Sequence, residues 1–294
     1  MRDEIRKIKI LMEEALYIAD PAIATAVYLA TTLGKPLLVE GHAGVGKTEI
    51  AKVLARVLDT NLIRLQCYEG LDVATALYEW NYPKQLLRIK LEERETRSVA
   101  EKEADIFSEP FLLKRPLLQA ITQDGKPPVL LVDEVDRADL EFESFLLEVL
   151  SDFQVTIPEI GTIRATRRPP VVLTSNRSRD LSDALRRRCL YLWIDYPSFE
   201  KEVRILSTKV PGINERLAGE IARVMQSLRR MKLAKVPGVA ETLDWAAALA
   251  AFHADHLDPD VVRATLGCIV KEVEDVKRLE ADLAGGRLSE LLGG

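Results

Sequence analysis

The sequence predicts an α/β fold: a parallel sheet layered between helices, followed by a smaller all-helical region. Three observations carry this. Short apolar runs alternate with amphipathic stretches over the first two-thirds of the chain, as when each strand is followed by a crossover helix. A glycine-rich turn directly follows the first run. After Pro197 the strand signals stop and apolar residues fall at helical spacing instead.

Taken in order, Pro36-Leu37-Leu38-Val39-Glu40 reads as a buried strand, followed by the turn and a helix from about Lys47 to Leu58. Asn61 to Gln66 reads as a second strand, Val129-Leu130-Leu131-Val132 as a third and Val171-Val172-Leu173-Thr174 as a fourth. Leu190-Tyr191-Leu192-Trp193-Ile194 is a fifth, closed by Asp195-Tyr196-Pro197. Residues 68–125 interrupt this rhythm as a long charged insertion with helical content, including Leu91-Glu92-Glu93-Arg94-Glu95. Phe153 to Ile157, the turn Pro158-Glu159-Ile160-Gly161 and Thr162 to Thr166 read as a β-hairpin. Beyond Pro197, Leu217, Ile221, Val224, Met225 and Leu228 mark one apolar helix face. Pro237-Gly238 breaks the chain, Thr242 is a candidate cap for a helix reaching Phe252, and helix continues to about Leu283. Gly285-Gly286 and Gly293-Gly294 mark a loose tail. These signals divide the chain into an α/β domain, 1–197, and a helical lid, 198–294.

The 294 residues are 47% hydrophobic and 30% charged, an ordinary globular balance that excludes wholesale disorder. A net charge of −5 gives no global electrostatic reason to expect nucleic-acid binding. The charged start lacks the apolar core of a secretion signal, and no stretch approaches the roughly 18 apolar residues of a membrane span. Cys67, Cys189 and Cys268 are far apart and odd in number, which suits a reducing cytoplasm and offers no disulfide framework or zinc site. His253 and His256 fall at i and i+3 on an expected helix, and a solvated or helix-end role is expected for them rather than metal ligation.

Four elements carry chemistry. Gly41-His42-Ala43-Gly44-Val45-Gly46-Lys47-Thr48 fits the GxxxxGK[ST] phosphate loop between a strand and a helix. Its glycines let consecutive N–H groups curl around a polyphosphate, and the following helix adds its positive end. Lys47 would reach the β- and γ-phosphates of ATP, and the Thr48 hydroxyl would ligate Mg²⁺. The third strand delivers Asp133 and Glu134 to its C-terminal end, where open α/β sheets bind ligands. Asp133 would hold the Mg²⁺ shell; Glu134 would orient or deprotonate the attacking water. Asn176, closing the fourth strand, is placed to contact the γ-phosphate and the water, or simply to cap its turn. Arg186-Arg187-Arg188 ends a short helix before the fifth strand. These arginines either complement the helix C-terminus or supply one finger to a neighbouring subunit's γ-phosphate.

With these elements in this order, plus the insertion, the hairpin and the helical lid, the chain resembles the MoxR group of AAA+ ATPases over about residues 20–255. Asp133-Glu134-Val135-Asp136-Arg137-Ala138 looks like that group's DEINRA stretch, with Asp136 for the usual Asn. Phe145 to Leu150 followed by Phe153-Gln154-Val155 is similar to its helix-then-hairpin signature. The resemblance implies a P-loop AAA+ αβα sandwich with a helix-2 insert, a pre-sensor-1 hairpin and a lid. Leu65 to Gly70, Tyr78 to Tyr82 with Gln85-Leu86-Leu87, and Gly238 to Trp245 look most like CoxD-type members, which accompany molybdenum hydroxylases. NorQ and CbbQ types are the nearest alternatives. This implies a homo-oligomer, a hexamer, acting with a von Willebrand A-domain protein on a metalloenzyme client. It also makes Arg188 the best match to the arginine finger, with Arg187 second. One departure stands out: Thr242 occupies the place of the sensor-2 arginine, for which Lys232 or Lys235 would have to substitute.

Two other functions compete. A DNA-associated motor would need a basic surface, and Arg164, Arg167 and Arg168 near the hairpin are the only basic cluster outside the finger region. A nucleotide-gated switch with little hydrolysis would account for the missing sensor-2 arginine. GTPases are disfavoured, since no NKxD-type motif is present.

Overall fold

The computed structural model describes residues 2–92 and 97–285. The central part of the charged run, Glu93 to Thr96, and the tail expected from Gly286 onward lie outside the described residues. Helices α1 (Arg2–Glu14) and α2 (Pro21–Leu33) precede strand β1 (Leu37–Gly41); α3 (Lys47–Val57) leads to β2 (Leu62–Gln66). The insertion holds α4 (Val73–Ala76), β3 (Tyr78–Trp80), α5 (Tyr82–Leu91), α6 (Val99–Ile106), β4 (Leu112–Lys114) and α7 (Pro116–Thr122). There follow β5 (Val129–Asp133), α8 (Leu140–Asp152), β6 (Gln154–Ile157), β7 (Gly161–Arg164), β8 (Val171–Ser175), α9 (Asp183–Arg188) and β9 (Leu190–Ile194). The C-terminal part is α10 (Phe199–Lys209), α11 (Glu215–Arg230), α12 (Val239–Ala251), α13 (Pro259–Ile269) and α14 (Val273–Ala284).

The five strands expected from their apolar runs form one parallel sheet in the order β2-β5-β8-β1-β9. Every residue of β1, β5 and β8 is buried, because these central strands are covered on both faces. The edge strand β9 instead alternates, burying Leu192 and Ile194 while Tyr191 and Trp193 face water. From β1 the chain crosses past β8 and β5 to β2, whereas from β8 it runs the opposite way along the strand order, past β1 to β9. Connections that part in this way leave a crevice at the carboxyl ends of β1 and β8.

The hairpin forms as β6–β7, antiparallel with Val155 opposite Ile163. The insertion contains, besides helices, the antiparallel pair β3–β4, with Glu79 opposite Leu113. Three-residue strands joined across a whole insert leave no local period to detect.

The described residues fall into two compact units. One comprises residues 2–8, Pro21–Glu40 and Ile50–Leu192; the other comprises Lys9–Asp20, Gly41–Glu49 and residues 193–285. The first is held by a core that includes Leu38, Leu65, Leu118, Leu130, Leu146 and Leu173. Within it α8 starts where Asp139 accepts the Phe142 amide, and buries Phe142, Leu146, Val149 and Leu150 along one stripe.

The second unit packs α10–α14 around Leu206, Ile221, Met225, Trp245 and Leu266. Asn214 caps α11 by accepting the Leu217 amide, and the apolar face expected there is fully buried. Two expectations are corrected. Thr242 does not cap α12: the cap is Gly238, four residues earlier, and Thr242 is buried inside the helix. His253 and His256 are exposed as expected, but they lie in the α12–α13 connection rather than on a helix.

Ile221 is wholly buried, so Ile221→Ala is expected to lower unfolding free energy by about 2–5 kcal/mol in urea titrations. Leu86→Ala, at a side chain 60% exposed, should change it by less than about 0.5 kcal/mol.

Candidate nucleotide site

In the first unit, the parallel register places the ends of four strands side by side. Leu65 of β2 pairs with Val132 of β5, Val132 with Leu173 of β8, and Ser175 with Glu40 at the end of β1. Asp133, Glu134 and Asn176 therefore leave the sheet along one edge. Asp133 is 2% exposed, its carboxylate accepting from Thr174 Oγ1 at 2.6 Å and from Arg64 at 2.5 Å. Glu134 adopts a left-handed backbone, φ 54° and ψ 49°, which a residue with a Cβ holds only at a cost of about 1–3 kcal/mol. Its amide donates to the same Thr174 hydroxyl at 2.9 Å. Among the described residues the Glu134 carboxylate has no hydrogen-bond or ion-pair partner, and neither has the Asn176 side chain.

The turn carrying Asn176 is fixed from the other strand. Asp136 Oδ2 accepts from the amides of Asn176 (3.2 Å) and Ser178 (2.8 Å) and from Ser178 Oγ (2.7 Å). Asp136 is buried, and its Oδ1 has no partner among the described residues. Arg177, also left-handed at φ 58°, donates its amide to Ser175 Oγ at 3.0 Å. Cys67, at the end of β2, is buried beside these acids; burial first, then the Asp133 charge, pushes its thiol up to about 12.

The three consecutive arginines separate. Arg186 pairs with buried Glu40 at 3.2 Å. Arg188 donates from Nε to Ser151 Oγ (2.6 Å) and from Nη1 to the Ala184 carbonyl (3.2 Å). Arg187 is exposed and has no ion-pair partner among the described residues.

The glycine-rich turn belongs to the second unit. Gly44 and Gly46 take φ of 73° and 90°, conformations that favour glycine and that curl the loop before α3 begins at Lys47. Lys47 Nζ donates to the carbonyls of Gly41 (2.8 Å) and His42 (2.6 Å), folding the ammonium onto its own loop. A Cβ on Gly41 would lie 2.1 Å from the Ile194 carbonyl oxygen, so only glycine fits there. His42 stacks on Tyr196, centroids 4.5 Å apart and planes 6° off parallel, and lies 3.6 Å from Asp195. Burial pushes the Tyr196 phenol up, although Arg229 lies over the same ring.

The start of α12 rests on this loop. The amides of Val239 and Ala240 donate to the Gly44 carbonyl at 2.9 and 3.2 Å, satisfying N–H groups that a helix start leaves orphaned. Glu241 reaches back to the Gly238 amide at 2.9 Å. Thr242, which stands at the place of the relatives' sensor-2 arginine by the resemblance, donates to Glu202 (2.8 Å), and Glu202 is held by both ends of the Arg229 guanidinium at 2.6 Å. Arg229 is thus the cation beside Thr242, spent on a buried carboxylate. Among the described residues neither the Lys232 nor the Lys235 ammonium makes a hydrogen bond or ion pair.

These donors suit the groups a phosphate loop implies. The loop offers a curled backbone and a lysine. Asp133 in the first unit offers a carboxylate oxygen and Thr48 in the second a hydroxyl, each by itself a hard oxygen donor of the kind that Mg²⁺ takes from protein. Among the described residues no cluster of three or more His, Cys, Asp or Glu would hold a metal unaided.

Residues 36–189, more than half of the chain, match the model of the AAA domain (dynein-related subfamily). The chain belongs to this AAA family. Membership implies nucleotide binding and ATP hydrolysis. The denitrification regulatory protein NirQ of Pseudomonas aeruginosa is 25% identical over 217 residues, 71% of this chain and 73% of that protein. Among solved structures, a point mutant of Thermotoga maritima RuvB matches with a TM-score of 0.51 at 19% identity, covering 98% of this AAA chain and 82% of that chain. The RuvB Holliday junction branch migration motor of Thermotoga maritima gives a TM-score of 0.46 at 20% identity, over 92% and 79% of the two chains. The first of these likenesses establishes the P-loop AAA sheet and its helical C-terminal region.

Sequence reasoning about this AAA-family chain missed Thr174, Arg64, Glu202 and Arg229. Thr174 lies inside an apolar strand run, and Glu202 and Arg229 inside amphipathic helices, so only contacts reveal them. Asp136 did leave a signal, as the acid replacing a customary Asn.

Thr174→Val removes the hydroxyl shared by Asp133 and Glu134. Turnover is expected to fall about ten- to a hundredfold, as for loss of a hydrogen bond to a charged group. ATP affinity should hold and Thr174→Ser should restore turnover, as steady-state kinetics beside nucleotide titration would measure. A Cβ on Gly238 would lie 2.7 Å from the Ala43 oxygen and 2.9 Å from Gly44 Cα. Gly238→Ala should therefore weaken nucleotide binding about tenfold, the equivalent of roughly 1.4 kcal/mol of overpacking. Gly267→Ala, with nothing within 4 Å, should leave binding unchanged.

Proposed function

We propose that the chain is a MoxR-group AAA+ motor, most like the CoxD type, which spends ATP hydrolysis on remodelling or maturing a metalloenzyme. The observation that carries the reading is the backbone contact between the phosphate loop and α12, since it couples the loop's conformation to a helical region that can act on a partner.

In this reading the Gly41–Thr48 loop (Gly41, His42, Ala43, Gly44, Val45, Gly46, Lys47, Thr48) wraps the phosphates of ATP, and Lys47 moves from its own carbonyls to the β- and γ-oxygens. Thr48 and Asp133 would hold Mg²⁺, which would neutralise charge on the phosphates. Glu134 positions and deprotonates the attacking water. The strained backbone beneath it fixes where its carboxylate starts, and Thr174 holds that backbone. Asn176 donates to the γ-phosphate and the water from a turn pinned by Asp136. Arg188, with Arg187 beside it, reaches the triphosphate of a neighbouring copy, so the working form is a ring, a hexamer. Residues 198–294 act as the lid.

Support for a protein client comes from the insertion. Helix α5 presents Tyr82, Leu86, Leu87 and Leu91 to water at 58–71% exposure, an apolar face of the kind that marks a protein contact. The regulatory name of the NirQ relative is in keeping with action on another protein, and the resemblance of the CoxD-like stretches implies a metalloenzyme client and a von Willebrand A-domain co-partner. No helix among the described residues is long and apolar enough to cross a membrane, in keeping with the cytoplasmic setting that we propose.

The test is Glu134→Gln in the full chain. ATP affinity should stay within about twofold while Mg-dependent turnover falls by a factor on the order of 10³, comparable with loss of a positioned general base and its charge. Turnover at the parental rate would remove Glu134 from the reaction; absence of Mg-dependent ATP binding by the parent protein would remove the reading itself.

A further inference from the structure

A cavity of about 440 Å³ in the first unit is lined by Lys35, Arg168, Arg187 and Arg188, with Ser151 and Phe153 among its uncharged neighbours and no acidic side chain. Three segments remote in sequence supply these cations: the turn before β1, the connection from β7 to β8, and the last turn of α9. Arg188 is oriented by Ser151 and Ala184, and the Arg168 guanidinium lies 5.4 Å from the Phe153 ring centre. Neither contact supplies a counter-charge. Among the described residues none of the four has an ion-pair partner, whereas their neighbour Arg186 is paired with Glu40. Gathering four like charges is unfavourable unless an anion joins them, and guanidinium forks with an ammonium are the groups that recognise phosphate.

Polarity within the first unit says whose phosphate this is. The Leu190 amide donates to the Pro36 carbonyl at 2.8 Å, which places Lys35 and α9 at the amino ends of β1 and β9. Asp133, Glu134 and Asn176 sit at the carboxyl ends of β5 and β8, which run parallel to β1 in register. One strand length, about 16 Å for five residues, separates the cations from the chain's own hydrolytic carboxylates. The phosphate loop also leaves β1 from that far end. A phosphate in this cavity would therefore not be the one beside the same subunit's Asp133 and Glu134.

We propose that Lys35 and Arg168 join Arg187 and Arg188 in a four-cation receptor for the triphosphate held by a neighbouring copy of this chain. This rests on the reading of the chain as an ATP-hydrolysing oligomer and adds two residues to its trans site. The finger arginines do not act alone: Lys35 and Arg168 share the charge that develops on the neighbour's nucleotide, and Ser151 keeps Arg188 aimed.

The experiment is complementation between two full-length variants. Lys35→Ala/Arg168→Ala keeps its own loop but lacks half of the receptor; Lys47→Ala keeps the receptor but lacks the loop lysine. Each alone should lose ATPase on the order of 10²-fold, as for loss of charge-stabilising donors. The double variant should still bind a fluorescent ATP analogue with parental affinity. Mixing the two should restore turnover, because the intact loops of one then face the intact receptors of the other. The charge-conserving pair Lys35→Arg/Arg168→Lys should retain most activity, which separates charge from folding. Parental turnover by the double variant alone, or loss of its own ATP affinity, overturns the proposal. So does restoration by Lys47→Ala of an Arg188→Ala protein but not of the double variant; that outcome leaves the ATPase reading standing. A double variant that keeps its ATPase but loses binding of a duplex DNA probe or an acidic peptide would assign the cavity to that ligand and likewise overturn the proposal. Parent protein without ATPase would be a failure of the underlying reading instead.

Discussion

The central strands β1, β5 and β8 touch no water along their length, so a polar side chain is tolerated there only at a strand end or with a partner. Their parallel register brings those ends to one line, which carries Asp133, Glu134 and Asn176. Asp133 is the last residue of β5, Ser175 the last of β8 and Gly41 the last of β1. A one-residue slip of β5 against β8 would turn Asp133 to the opposite face of the sheet and part it from Thr174. The apolar runs that specify register thereby also specify chemistry.

The two strand tips stabilise one another. β8 supplies the Thr174 hydroxyl that holds the Asp133 carboxylate and the Glu134 amide; the residues after β5 return the Asp136 carboxylate to hold Asn176 and Ser178. Each tip contains a left-handed residue, Glu134 and Arg177, whose amide is received by a β8 hydroxyl, Thr174 or Ser175. Two unfavourable backbone conformations are thus kept by two hydroxyls. A hydrogen bond to a backbone amide is worth about 1 kcal/mol, comparable with the strain of a single left-handed residue, so the balance is close and each hydroxyl matters. Asp136 Oδ1, buried without a partner among the described residues, is a further cost that the arrangement carries.

Much of this was legible in the sequence because it is local. Four of the five strands were marked by runs of three to five apolar residues and the second by a shorter run broken at Arg64, the phosphate loop by its glycine spacing and α11 by its apolar period. Boundaries held to within a residue or two where the run was long. What could not be read depends on partners distant along the chain. β3 and β4 pair across the insertion; Thr242 looked like a cap because a hydroxyl at a helix start usually is one, but the chain turns helical four residues earlier, where Gly238 can approach the loop backbone. The arginine triplet showed that not all three could share a site, yet only Glu40 and Ser151 show how they divide.

The absent sensor-2 arginine bears on how the helical region would follow the nucleotide. An arginine side chain has several rotatable bonds and reaches a phosphate by extending, so its grip tolerates small displacements of the helix that carries it. Here the link is backbone to backbone: two α12 amides on the Gly44 carbonyl, and Gly238 so close to Ala43 and Gly44 that no Cβ fits. Such a contact has no slack. A shift of about 1 Å in the loop either moves α12 by a like amount or breaks both hydrogen bonds, at about 1 kcal/mol each. Behind α12, Thr242 and Arg229 share the buried Glu202 carboxylate of α10, so the start of α12 is tied to two further helices of the same unit. The aromatic stack of His42 on Tyr196, with Arg229 over the same ring, gives a second tie from the loop to that network. These contacts tie loop and helices by displacement, and none of them needs a charged side chain at position 242.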